Sequence, residues 1–145
     1  MALRRVSPLE AKQLMDHDAY AYVDVRSTPE YDTAHAAESY NIPVMERGDG
    51  GLVPNPDFMA VMNANFQKDA KFILACQSGR RSLMAAGMLE QAGYTNFVEL
   101  RTGFDGAKDN FGGITEPGWS RSGLPVASGP DSRRGYRALR NKTWV

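Results

Sequence analysis

The chain has 145 residues, enough for one domain around a single hydrophobic core. Its 42% hydrophobic and 23% charged residues are the balance of a globular protein, and seventeen basic residues cancel seventeen acidic ones, so the overall charge argues against nucleic acid or an anionic membrane as a partner. One cysteine excludes an intrachain disulfide and a zinc site built on several cysteines; His17 and His35 lack partner ligands, so no metal and no cofactor is expected.

Arg4 and Arg5 are followed by no apolar stretch of the secretory kind, and no apolar run approaches the roughly 18 residues needed to span a bilayer. The expected compartment is the cytoplasm. Ser7-Pro8-Leu9-Glu10 is a helix start: Ser7 caps, Pro8 suits the first helical position and Glu10 completes a capping box. Ala21 to Val25 is rich in strand formers. Thr28-Pro29-Glu30-Tyr31 repeats the cap-plus-proline signal and opens a brief helix, and Pro43 biases Ile42 towards an extended backbone. Glu46 to Pro54, with Gly48, Gly50 and Gly51, reads as a loop.

Asn55-Pro56-Asp57 opens another helix, with Phe58, Val61, Met62 and Phe66 at helical spacing. Lys71 to Ala75 is a compact apolar run suited to a buried strand. Ser82 to Ala92 is helical and stops at Gly93, and Asn96 to Leu100 is the next strand. Strands alternate with helices over connections too long for hairpins. The expected fold is α/β: one domain with a mainly parallel central sheet and helices on both faces.

After Leu100 the periodicity decays into glycine-marked loops, with Trp119 and Leu124-Pro125-Val126 expected to pack back onto the domain. The catalytic domain is expected to span 1–127. Residues 128–145 form a basic C-terminal tail, in which Arg133, Arg134, Arg137, Arg140 and Lys142 face only Asp131. Its composition suits a solvated segment; the other reading is an arm that docks on the domain or a second subunit through Trp144.

The chemistry is concentrated in Cys76-Gln77-Ser78-Gly79-Arg80-Arg81-Ser82, between a buried strand and a helix. In open α/β sheets ligands gather at the carboxyl ends of strands, and a helix N-terminus presents free N–H groups and partial positive charge. Gly79 permits the tight turn, while Arg80 and Arg81 add permanent cations. The result is an anion cradle with a sulfur at its mouth, which favours a nucleophilic thiolate at Cys76. The other reading of a lone cysteine is a small buried hydrophobe without chemistry. No catalytic triad is indicated, because sequence alone does not bring His35 to Cys76.

Four stretches together resemble the rhodanese family over roughly residues 4 to 127: Asp24-Val25-Arg26-Ser27-Thr28-Pro29-Glu30-Tyr31 with His35 and Asn41-Ile42-Pro43; the Cys76 to Ser82 loop; Gly93-Tyr94-Thr95-Asn96-Phe97 with Leu100 and Gly103-Phe104; and Trp119 with Gly123-Leu124-Pro125-Val126. The resemblance implies a single-domain thiosulfate sulfurtransferase. Cys76 would carry sulfur as a persulfide between a small anionic donor such as thiosulfate and a thiol or cyanide acceptor, by double displacement. Gln77, Ser78, Gly79, Arg80 and Arg81 would form the anion-binding loop. A protein acceptor also fits, and the alternative is a persulfide-carrying or non-enzymatic module that docks on a partner.

Cys76 and Arg81 enclose four residues, one fewer than in the related phosphatases and arsenate reductases, and no aspartate adjoins the loop as a general acid. Asp24, Arg26, Glu30 and His35 are expected to form a structural polar network. Arg47 is a weaker candidate for lining the donor site. Two departures stand out: Ala34-His35-Ala36-Ala37-Glu38-Ser39 replaces the family's Gly-His-Ile-Pro-Gly-Ala, and Thr102 stands where a first glycine is common.

Overall fold

The computed structural model describes residues 3–144. In chain order the elements are β1 (Arg5–Val6), α1 (Pro8–Asp18), β2 (Ala21–Asp24), α2 (Thr28–Thr33), β3 (His35–Ala36), β4 (Tyr40–Asn41), β5 (Met45–Gly48), β6 (Gly51–Pro54), α3 (Phe58–Asn65), β7 (Phe72–Ala75), α4 (Arg80–Gln91), β8 (Phe97–Leu100), β9 (Gly106–Lys108), β10 (Ile114–Pro117), β11 (Val126–Ala127) and α5 (Tyr136–Trp144), with a 3₁₀ turn at Trp119–Arg121. The capping box at α1 forms as its sequence dictates: Ser7 Oγ accepts from the Glu10 amide, and the Glu10 carboxylate accepts from the Ser7 amide.

Five strands make a parallel sheet in the order β1-β8-β7-β2-β4. Because side chains alternate along a strand, this sheet builds two cores. Val23, Phe72, Leu74 and Phe97 face one side, where α3, α4 and α5 cover them with Phe58, Val61, Met62, Ala85, Leu89 and Leu139. Tyr22, Ile73, Val98 and Leu100 face the other, against Ala11, Leu14 and Met15 of α1 and Trp119. The expected architecture is therefore present, with β7 at the centre and Cys76 at its carboxyl end.

Three segments differ from the sequence expectation. Residues 45–54 are an antiparallel hairpin, β5 with β6, whose turn uses Gly50 at φ 85°. The segment after Leu100 contains a second hairpin, β9 with β10, and β11 pairs antiparallel with β3. Third, the segment beyond 128 is not a solvated tail. The Asn41 amide donates to the Arg134 carbonyl at 2.8 Å, Asn55 Nδ2 donates to the Tyr136 hydroxyl at 3.0 Å and Asn65 Nδ2 donates to the Leu139 carbonyl at 3.1 Å. Leu139 is 2% exposed, inside the α3–α4 core. The arm thus docks on its own domain through Tyr136 and Leu139; the Trp144 side chain lies outside the described residues.

The departure at 34–40 keeps the turn. Glu38 takes the left-handed conformation, φ 69°, at the position where the family carries glycine. A non-glycine residue there costs about 1–2 kcal/mol.

Candidate active site

Cys76 follows directly on β7, and α4 starts four residues later at Arg80. Gly79 caps α4 with φ 101°. This left-handed turn folds the chain back so that the Gly79 N–H donates to Cys76 Sγ at 3.0 Å. The first N–H groups of α4 have no acceptor within the helix and lie beside the same loop. An anion formed at Cys76 would therefore sit at the positive end of α4, with an amide already aimed at it.

The loop is fixed from behind by Thr102 to Gly106. The Cys76 carbonyl accepts from the Phe104 amide at 2.7 Å, and the Gln77 carbonyl accepts from the Asp105 amide at 3.0 Å. This close approach requires glycine at 103. A Cβ there, at φ 67°, would stand 2.6 Å from the Cys76 carbonyl oxygen and from Gln77 backbone atoms. Thr102 accommodates the missing first glycine by being buried, its hydroxyl donating to the Gly103 carbonyl at 3.2 Å.

A second set of contacts reaches Cys76 from beneath. Ser82 Oγ lies 3.4 Å from Cys76 Sγ and donates to Glu99 Oε2 at 2.5 Å, while Glu99 Oε1 accepts from Arg5 Nε at 2.6 Å. With its proton committed to Glu99, Ser82 turns lone pairs towards the sulfur and can accept from the thiol. Glu99 is fully buried in β8, in register with Arg5 of β1. Sequence reasoning passed over it as one residue of a strand. The available signal was a charged residue inside the apolar run Phe97-Val98-Glu99-Leu100, which has to find partners when buried.

The polar network around β2 is as tight as expected. Asp24 (1% exposed) and Arg26 (3% exposed) are buried together, Arg26 giving Asp24 Oδ2 a 2.8 Å bond from Nη2 and Oδ1 a 3.0 Å bond from Nε. Burial pushes the Arg26 guanidinium towards losing its proton, but Asp24 outweighs this and raises it above its ordinary range. Arg26 also donates to Gln77 Oε1 at 3.1 Å and stacks over the Phe104 ring at 4.4 Å, tying the network to the loop. His35 is buried, stacked on Tyr31, with Nδ1 2.7 Å from the Tyr31 carbonyl. It is thus placed in the structural network.

The loop's two cations differ. Arg80 is exposed and makes no ion pair among the described residues. Arg81 is held in a two-point pair by Glu30, Nη1 to Oε1 at 2.6 Å and Nη2 to Oε2 at 2.9 Å. Glu30 also accepts from the Ser27 hydroxyl at 2.8 Å. Burial pushes the Glu30 carboxyl up, yet the Arg81 and Ser27 bonds prevail and bring it from 4.5 to about 2. A cleft of about 240 Å³ opens beside the loop, lined by Arg26, Glu30, Thr33, Ala34, Gln77, Phe104 and Asp105. Ser78 is half-buried within the loop. Arg47 is exposed on the β5–β6 hairpin and is not among the residues lining that cleft.

Comparison with known proteins agrees with this fold. The pattern of the rhodanese-like domain matches residues 7–110. Thiosulfate sulfurtransferase 16, chloroplastic, of Arabidopsis thaliana is 37% identical over 107 residues, covering 74% of this chain and 79% of that protein. The senescence-associated protein DIN1 of Raphanus sativus is 33% identical over 97 residues, 67% of this chain, and the match spans only about half, 53%, of that protein. The crystal structure of Rv0390 from M. tuberculosis superposes with a TM-score of 0.71 at 28% identity, covering 89% of this chain and all of that one. With most of its length matched by that pattern, and with a six-residue cysteine loop at the end of the central strand, the chain belongs to the rhodanese-like domain family.

Proposed function

We propose that the protein is a sulfurtransferase that carries sulfane sulfur on Cys76, with thiosulfate or a similar small anion as donor. The observation that carries this reading is the Gly79 N–H aimed at Cys76 Sγ from 3.0 Å at the start of α4. The Cys76 thiolate attacks the outer sulfur of thiosulfate; the S–S bond of the donor breaks and sulfite leaves with its electron pair. The Cys76 persulfide anion is then held by the Gly79 amide and by the free N–H groups of Gln77 to Arg81. A thiophilic acceptor, cyanide or a thiol, attacks the terminal sulfur and returns the Cys76 thiolate.

In this scheme Arg80 attracts the donor and Arg81 braces the loop through Glu30. The only cysteine is free, which a persulfide cycle needs. Docking of a separate carrier module through the basic segment has less support, because that segment is packed on its own domain through Leu139. The test is steady-state thiocyanate formation from thiosulfate and cyanide. Parallel-line ping-pong kinetics, abolished by Cys76→Ser, are expected; turnover that survives Cys76→Ser would overturn the reading.

A further inference from the structure

The cleft beside the cysteine loop is an unusual place to bring a dianion. Its lining carries two carboxylates, Glu30 and Asp105, and Asp105 is paired with Lys108 at 3.2 Å and Arg121 at 3.0 Å. Its one lining guanidinium, Arg26, is already committed to Asp24, to the Ala34 carbonyl and to Gln77. Arg81, the second of the loop's two cations, has both terminal nitrogens on Glu30. Glu30 is held in place independently by the Ser27 hydroxyl and amide at 2.8 and 3.2 Å. Its carboxylate stays charged throughout any working pH range, since the acid has been brought down to about 2. Of the two loop cations, Arg81 is thus occupied by a fixed negative charge, and Arg80 alone makes no ion pair among the described residues.

We propose that Glu30 sets the charge selectivity of the donor site: by occupying Arg81 it weakens the hold on a dianionic donor such as thiosulfate more than the hold on monoanionic thiosulfonates and persulfides. Glu30 acts through Arg81 and through its own field, so it is a specificity-determining residue and not a catalytic one. The inference rests on the persulfide chemistry proposed for Cys76. Coulomb energy scales with the donor's charge, so removing the Glu30 charge raises affinity for a dianion by about the square of the factor gained by a monoanion.

Two donors of the same chemistry separate the cases. Thiosulfate, a dianion, loses sulfite; benzenethiosulfonate, a monoanion, loses benzenesulfinate; both leave the same persulfide on Cys76. In Glu30→Gln, KM for thiosulfate is expected to fall about tenfold and KM for benzenethiosulfonate about threefold; loss of the Arg81 brace acts on both donors alike, so the ratio of the two KM values is the readout. Glu30→Asp, which keeps the charge, retains the wild-type ratio of the two KM values. Where Glu30→Gln fails to fold, Glu30→Ala carries the same comparison. Equal KM changes for both donors, or none, overturn the role of Glu30 while leaving the persulfide cycle intact. A wild type that forms no persulfide with either donor overturns the cycle, and this inference with it.

Discussion

Replacing Gly103 by alanine tests how closely the backbone at 103 supports the cysteine loop. The added methyl would stand 2.6 Å from the Cys76 carbonyl oxygen, the Gln77 carbonyl carbon and the Gln77 carbonyl oxygen, all of them backbone atoms that no rotamer change can clear. The residue would also sit at φ 67°, which an L side chain adopts at a cost of about 1–2 kcal/mol. Overpacking adds about 1–3 kcal/mol. The expected loss is therefore about 2–5 kcal/mol, read as a lower urea midpoint with the denaturant slope unchanged. Turnover of thiosulfate by the protein that remains folded should fall more than about tenfold, because relief of the clash displaces Cys76 from the Gly79 amide. Gly112→Ala is the internal control: φ is 82°, but a methyl there meets nothing within 4 Å. It should lose only the conformational cost and keep full activity. A Gly103→Ala protein as stable and active as Gly112→Ala would refute the argument.

Three further outcomes follow from the packing and charges. Asp24→Ala strands the buried Arg26 guanidinium, so stability should fall by about 3–5 kcal/mol in chemical denaturation; a change below about 1 kcal/mol would mean that Arg26 finds another partner. Leu139→Ala should cost about 2–5 kcal/mol if residues 128–144 belong to the folded core, whereas a solvated tail would leave the unfolding midpoint where it was. Glu30 has a folded value depressed from 4.5 to about 2, so its contribution to stability is complete above pH 4.5 and is lost as pH falls towards 2. Glu30→Gln should flatten that acid limb of the stability profile, and an identical limb in both proteins would remove Glu30 as its source.

Much of the fold was legible because local signals agreed with tertiary needs. Ser7 and Glu10 announced α1, and the apolar runs before Cys76 and before Arg101 alternated with helices, which leaves a parallel sheet as the economical topology. The Cys76 to Ser82 loop was legible for the same reason: its meaning depends on a strand before it and a helix after it, both readable. The hairpin at 45–54 was not, since its residues are largely exposed and lack alternation, so the glycines dominated the reading. Helix α5 was obscured by its arginines. Tyr136 and Leu139, three residues apart, were the faint helical signal, but only contact with α3 gives that spacing value. The pairing of Arg81 with Glu30 joins residues 51 apart, and that of Glu99 with Arg5 joins residues 94 apart. A charged Glu99 within an apolar run signals the need for a partner, but which residue answers it, or answers Arg81, is decided only when the folded sheet brings the partners together.

The central claim is that Cys76 carries sulfur, and the most direct measurement is the intact mass of the protein after exposure to thiosulfate, with and without cyanide, beside Cys76→Ser. The account predicts a gain of about 32 mass units on the wild type alone, removed by cyanide with release of thiocyanate. No gain from either thiosulfate or benzenethiosulfonate, with Cys76 shown to be reduced, would contradict it.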